Sequence, residues 1–105
     1  MKTPAELDAV TSDPHAVLVH IAQIDFDQSV PLEEELIALM EPTDIGYHDG
    51  NEIGGGETTL WLFGVDAEQL FKFIEPTLRS NPFSKNAKIT LRFGQHGSLE
   101  REFNL

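Results

Sequence analysis

Two short runs in this chain are apolar on both of their alternating phases, and that pattern narrows the available folds more than any other feature. Residues 16–26 read Ala-Val-Leu-Val-His-Ile-Ala-Gln-Ile-Asp-Phe, and residues 58–63 read Thr-Thr-Leu-Trp-Leu-Phe. Successive side chains of a strand point to opposite faces, so a strand that is apolar on both phases belongs in the middle of a sheet.

The segments around these two runs alternate with them in type. Residues 30–41 place Leu32, Leu36, Ile37, Leu39 and Met40 at helical spacing, with Glu33, Glu34 and Glu35 in the first turn, where the helix dipole favours negative charge. Glu41-Pro42 ends that helix. Asp44 to Ile53 reads as a polar strand, and Gly54-Gly55-Gly56 joins it to residues 58–63 as a hairpin with a loose tip. Asp66-Ala67-Glu68-Gln69 is a capping box ahead of a stripe of Leu70, Phe71, Phe73, Ile74 and Leu78. Pro76 is expected to tighten the last turn of this helix, and Asn81-Pro82 to close it. Residues 87–93 alternate, with Ala87, Ile89, Leu91 and Phe93 against the core and Lys88, Thr90 and Arg92 turned away. Residues 99–105 alternate again, and keeping the apolar faces together sets Arg92 opposite Glu100 or Glu102. Thr3-Pro4-Ala5-Glu6 predicts a short helix over residues 4–10, ended by Ser12-Asp13-Pro14.

The resulting order predicts one α+β domain over residues 1–105. Right-handed crossovers favour a two-layer ferredoxin-like βαββαβ sandwich with an extra C-terminal strand and the short N-terminal helix. Strands one and three then lie in the middle of the sheet and both long helices on one face. Residues 49–79, DGNEIGGGETTLWLFGVDAEQLFKFIEPTLR, resemble small bacterial ferredoxin-like domains with no assigned chemistry. The resemblance covers under a third of the chain. It implies the fold and carries no catalytic residue over.

Charge sets the class of partner. The chain has 7 Lys and Arg against 18 Asp and Glu, a formal charge of −11, so nucleic acid and anionic lipid are repelled. Residues 1–53 hold Lys2 alone against twelve acids, whereas residues 54–105 hold six of each sign. Cys is absent, which removes disulfides, thiolate metal sites and cysteine nucleophiles. The opening Met-Lys-Thr-Pro-Ala-Glu lacks the apolar stretch of a signal peptide, and no segment approaches the ~20 apolar residues of a membrane span. A cytoplasmic location is the default expectation.

No residue set reads as a cofactor or metal site. Asp44, His48, Asp49, Glu52 and Glu57 are oxygen and imidazole donors near the hairpin, but their spacing fits no metal loop, and an extended strand puts His48 and Glu52 on one side and Asp49 on the other. Gly54-Gly55-Gly56 leads into a strand beside acids, unlike a phosphate loop, which opens a helix. His20 reads as a half-buried strand histidine with a backbone partner, and His15 and His96 as turn residues.

The two-sided apolar strands predict an exposed sheet face, centred on Trp61 and Phe63 or on Leu60 and Leu62 according to phase. A homodimer through that face is expected, unless the N-terminal helix closes it with Leu7 and Val10. The leading functional expectation is a non-enzymatic interaction domain. Its Glu33, Glu34, Glu35, Glu41, Asp44, Asp49 and Glu52 would meet a basic protein, as in an immunity-like inhibitor of a basic toxin or nuclease. A regulatory ligand-binding domain that dimerises through its sheet, and a small hydrolase-like enzyme using His48, Asp49 and Glu52, are the alternatives.

Overall fold

In the computed structural model, which describes residues 14–22, 26–94 and 98–105, the chain is an α+β domain with a five-stranded antiparallel sheet and two helices. The elements are β1 (His15–Ala22), α1 (Phe26–Met40), β2 (Tyr47–Gly54), β3 (Glu57–Gly64), α2 (Ala67–Ser80), β4 (Lys88–Arg92) and β5 (Glu100–Asn104). The sheet order is β2-β3-β1-β4-β5, so β1 takes hydrogen bonds from β3 on one side and β4 on the other. The short helix expected over residues 4–10, with Leu7 and Val10, lies outside the described residues, as does His96.

Register assigns each phase of the sheet to a face. Val17 pairs with Leu62 and Leu91, and Val19 with Leu60 and Ile89, and all of these are fully buried beneath Leu32, Leu36, Leu70, Ile74 and Leu78 of the helices. Each such aliphatic side chain contributes about 1.5–3 kcal/mol when taken from water. Ala16, Leu18 and His20 point the other way, beside Phe63, Trp61 and Thr59 of β3 and Arg92, Thr90 and Lys88 of β4. Of the two phases open to the exposed-face expectation, Trp61 and Phe63 therefore occupy the face opposite the two described helices. Leu60 and Leu62 are core.

Four local expectations are corrected. The first strand ends at Ala22, and Phe26 already belongs to α1, which starts a turn earlier than residue 30. Glu33, Glu34 and Glu35 consequently lie in mid-helix, Asp27 is the first-turn acid, and Pro31 sits inside the helix without an N–H to give. The hairpin tip is tight: Gly54 pairs with Glu57, leaving a two-residue turn of Gly55 and Gly56 at φ +61° and +78°, the left-handed conformation that matches strand twist. Most of the outward phase of β4 is also covered: Lys88 is exposed, but Thr90, 3% exposed, meets His20, and Arg92, 8% exposed, lies over the rings of Trp61 and Phe63 at 5.8 and 6.0 Å.

The second helix and the last hairpin follow the sequence. Asp66 caps α2 by accepting from the Gln69 N–H at 3.1 Å, and the buried stripe runs through Leu70, Phe71, Ile74 and Leu78. Pro76 is accommodated within α2, which continues to Ser80 and is capped by Asn81. Arg92 stands opposite Glu100, and Phe103 opposite Ile89 on the helix side.

The start of β2 crosses the end of β3 so closely that neither backbone leaves room for a side chain. A Cβ on Gly46 would meet the Phe63 carbonyl oxygen at 2.6 Å and Leu70 at 3.0 Å, and one on Gly64 would run into the Ile45 carbonyl oxygen. Gly46→Ala is expected to lower stability by about 1–3 kcal/mol, seen as a lower urea midpoint at unchanged slope. Gly54→Ala, where a Cβ meets nothing within 4 Å, is the matched control and should leave the midpoint near wild type.

Candidate functional site

The charge asymmetry of the sequence becomes a spatial one because α1 packs on β2 at one edge of the sheet while β4 and β5 form the other. Glu34, Glu35 and Glu41 of α1 and its end, Asp44 of the connection, and Asp49 and Glu52 of β2 are all exposed. Among the described residues, every Lys and Arg lies in α2 or beyond: Lys72, Arg79, Lys85, Lys88, Arg92 and Arg101. Two of these cations have acid partners within their own half, Arg79 with Glu75 at 2.7 Å and Arg101 with Glu68 at 2.9 Å. No described cation forms an ion pair with the six exposed acids of the α1–β2 edge.

Glu33 does not belong to that surface. It is 7% exposed and faces β2, where its carboxylate accepts from the Ser29 hydroxyl at 2.8 Å and from the Asn51 amide at 2.9 and 3.0 Å. His48 Nε2 stands 2.9 Å from Glu33 Oε1, off the direction of a hydrogen bond, so the contact is electrostatic and favourable when the imidazole carries a proton. A β-bulge creates this cluster. His48 pairs with Leu62 and Gly50 with Trp61, which leaves Asp49 as an extra residue. The bulge reverses the phase of the strand, so His48 and Asn51 share the helix-facing side, whereas Glu52, opposite Thr59, lies on the other face. The expected placement of His48 and Glu52 on one side is thereby overturned, and His48, Asp49 and Glu52 do not converge as an acid–base set.

The face opposite the two described helices carries an aromatic row and a polar chain. Tyr47, 53% exposed, stacks on half-buried Phe63 with centroids 5.8 Å apart, and Phe63 on half-buried Trp61 at 6.2 Å. Beside them His20 Nδ1 lies 3.1 Å from the Thr59 hydroxyl and Nε2 lies 3.0 Å from the Thr90 hydroxyl. Thr90 in turn donates to Glu102 at 3.5 Å, so its oxygen accepts from His20 Nε2–H and the Thr59 hydroxyl donates to Nδ1. Two hydroxyls, rather than the expected backbone group, hold the ring. Both nitrogens are engaged, so His20 is not a free base.

Ser29 meets Glu33 one turn along the same helix, whereas Asn51 beside Glu33, and Thr59 and Thr90 around His20, carry no signal in the linear sequence. Only the cross-strand register and the bulge bring these three into place. Among the described residues no three His, Asp or Glu side chains gather as a metal site, and no helix is long and apolar enough to cross a membrane. No protein-family model matches the chain, and no curated protein or solved structure is significantly similar to it.

Burial holds the His20 pKa below its usual 6.5, with Lys88 acting in the same direction and Glu57 and Glu102 against it. Between the lowered folded value and 6.5 the unfolded chain binds more protons, so the stability His20 confers is full above 6.5 and is lost as the pH falls through the folded value. The urea midpoint of the wild-type protein should therefore drop more than that of His20→Gln when the pH is taken from about 7.5 to about 5. Parallel curves for the two proteins would exclude this assignment.

Proposed function

We propose that this protein is a non-enzymatic interaction domain that presents the acidic α1–β2 edge to a basic protein surface. The observation that carries the reading is the separation of charge: Glu34, Glu35, Glu41, Asp44, Asp49 and Glu52 stand exposed along one edge, while the described cations occupy the opposite half. A one-signed edge of this kind steers a basic partner toward it and speeds encounter more than it adds final affinity. An immunity-like inhibitor that covers the basic face of a toxin or nuclease is the concrete form of the reading. The strand order, read as a ferredoxin-like sheet with β5 added beyond β4, supports a rigid scaffold behind that edge.

The row of exposed Tyr47 and half-buried Phe63 and Trp61 on the face opposite the two described helices favours a second surface, through which two copies of the chain associate. This pairing is compatible with the first reading, because the acidic exposed side of α1 lies in the other layer. The enzyme alternative finds no support in the placement of His48, Asp49 and Glu52.

Two measurements test these surfaces separately. Association with basic nucleases should slow at least about tenfold as the salt is raised from roughly 10 mM to roughly 150 mM, where the screening length shrinks from about 30 to about 8 Å. The triple variant Glu34→Gln, Glu35→Gln, Glu41→Gln should weaken that salt dependence, and Glu100→Gln with Glu102→Gln should not. An association rate indifferent to salt in the wild-type protein removes the acidic-edge reading. For the second surface, light scattering should give twice the chain mass for wild type and the single-chain mass for Trp61→Ser. A wild-type monomer at high concentration rules out pairing through the sheet.

A further inference from the structure

Where β1 and β2 begin and β3 ends, the domain has a cleft of about 440 Å³, lined among others by Pro14, His15, Asp44, Tyr47 and Val65. That size falls in the range of small-ligand sites. A second hollow of about 500 Å³ continues from it past Asp44 and Val65 toward Asp66, Gln69 and Phe73. The close crossing of Gly46 and Gly64 separates the β2 entry from the β3 exit with bare backbone and supplies part of the wall.

The chemistry of the walls selects the sign of a ligand. Among the described residues no Lys or Arg lines either hollow, and the exposed Asp44 carboxylate borders both. The N-terminus of α2 lies beside the second hollow, and three of its first four amides already have acceptors. Ala67 N–H donates to His15 Nδ1 at 3.1 Å, Gln69 N–H to the Asp66 side chain at 3.1 Å, and Leu70 N–H to the Asp66 carbonyl at 2.9 Å. An anion would meet the Asp66 carboxylate, which already takes the place of an anion at the helix start, and no described Lys or Arg as counter-charge. His15 meets the helix start through Nδ1, which accepts from the Ala67 N–H. Two apolar surfaces complete the mouth, Val65 at 82% exposure and the Tyr47 ring at 53%.

We infer that this cleft binds an alkylammonium or alkylguanidinium group, its charged head on Asp44 and its apolar stem or ring against Val65 and Tyr47. The same chemistry is carried by a free organic amine and by a Lys or Arg side chain of a protein partner. The inference does not depend on the acidic-edge reading, since it rests on the cleft and on one carboxylate. Where both hold, the cleft is the anchor point of the edge.

Amide chemical shifts of the full-length chain, titrated separately with N-acetyl-arginine amide and with benzylamine, test it. Binding is expected in the range of about 1 mM, with shifts confined to the residues around Asp44, Tyr47 and Val65. Asp44→Asn, an exposed substitution that leaves the fold intact, should weaken binding about two- to fivefold, and the uncharged N-acetyl-citrulline amide should not bind at the same site. Val65→Ser should weaken binding without altering the charge. Tighter binding of benzylamine identifies a free amine as the natural source, and tighter binding of a short arginine peptide identifies a partner's side chain. Equal binding of the citrulline control, shifts spread over Glu34, Glu35 and Glu52, or an unchanged affinity in Asp44→Asn would each overturn the site. Salt-independent association with basic proteins would overturn the acidic edge and leave these shifts in place.

Discussion

The pairing of β1 with β3 on one side and β4 on the other is the constraint from which the rest of the structure follows. Val17, Val19 and Ile21 cannot enter the core unless Leu60, Leu62, Ile89 and Leu91 enter with them, because register ties all three strands to one phase. Both helices are drawn to that face, since the apolar stripes of α1 and α2 have the same surface to cover. A slip of one residue would exchange Leu60 and Leu62 for Trp61 and Phe63. It would place His20 and Arg92 among aliphatic side chains, where neither would find its present partners.

The second face shows how a sheet can hold polar groups near its centre. His20 spans the gap between two threonine hydroxyls, and Arg92 spreads over the rings of Trp61 and Phe63 while its Nε donates to the Gly94 carbonyl at 2.8 Å. Each buried polar side chain is thereby matched by a directional or cation–π partner. On the helix side the Asp49 bulge serves the same end. By turning both His48 and Asn51 toward α1, it supplies partners to Glu33, a carboxylate that would otherwise be buried beside aliphatic side chains. One inserted residue on an edge strand thus settles which acids of the acid-rich half reach solvent.

Long-range charge and short-range shape act on different scales here. The α1–β2 edge is one-signed because two elements that carry acids and no Lys or Arg pack against each other at the end of the sheet farthest from β5. Its field extends about a Debye length into solvent. The cleft by Asp44 acts at contact distance and combines a single carboxylate with the exposed flanks of Val65 and Tyr47. Asp44 belongs to both, so the point at which steering ends and fitting begins is one side chain.

The sequence by itself determined what is local or periodic. The Asp66 cap and the stripe from Leu70 to Leu78 specified α2, because a capped amphipathic helix needs only contacts within a few residues. The alternation in residues 87–93 and 99–105 narrowed the partner of Arg92 to Glu100 or Glu102, of which the register takes Glu100, and the double-phase runs placed β1 and β3 inside the sheet. The uneven distribution of acids was likewise plain from composition. Tertiary structure decided the rest: the phase that put Leu60 rather than Trp61 in the core, the early start of α1, the bulge that parted His48 from Glu52, and the withdrawal of Glu33 from the acidic surface. Each of these depends on which strand or helix lies across from the residue. Such a pairing is won by the summed burial of distant side chains, and no short stretch of chain encodes it.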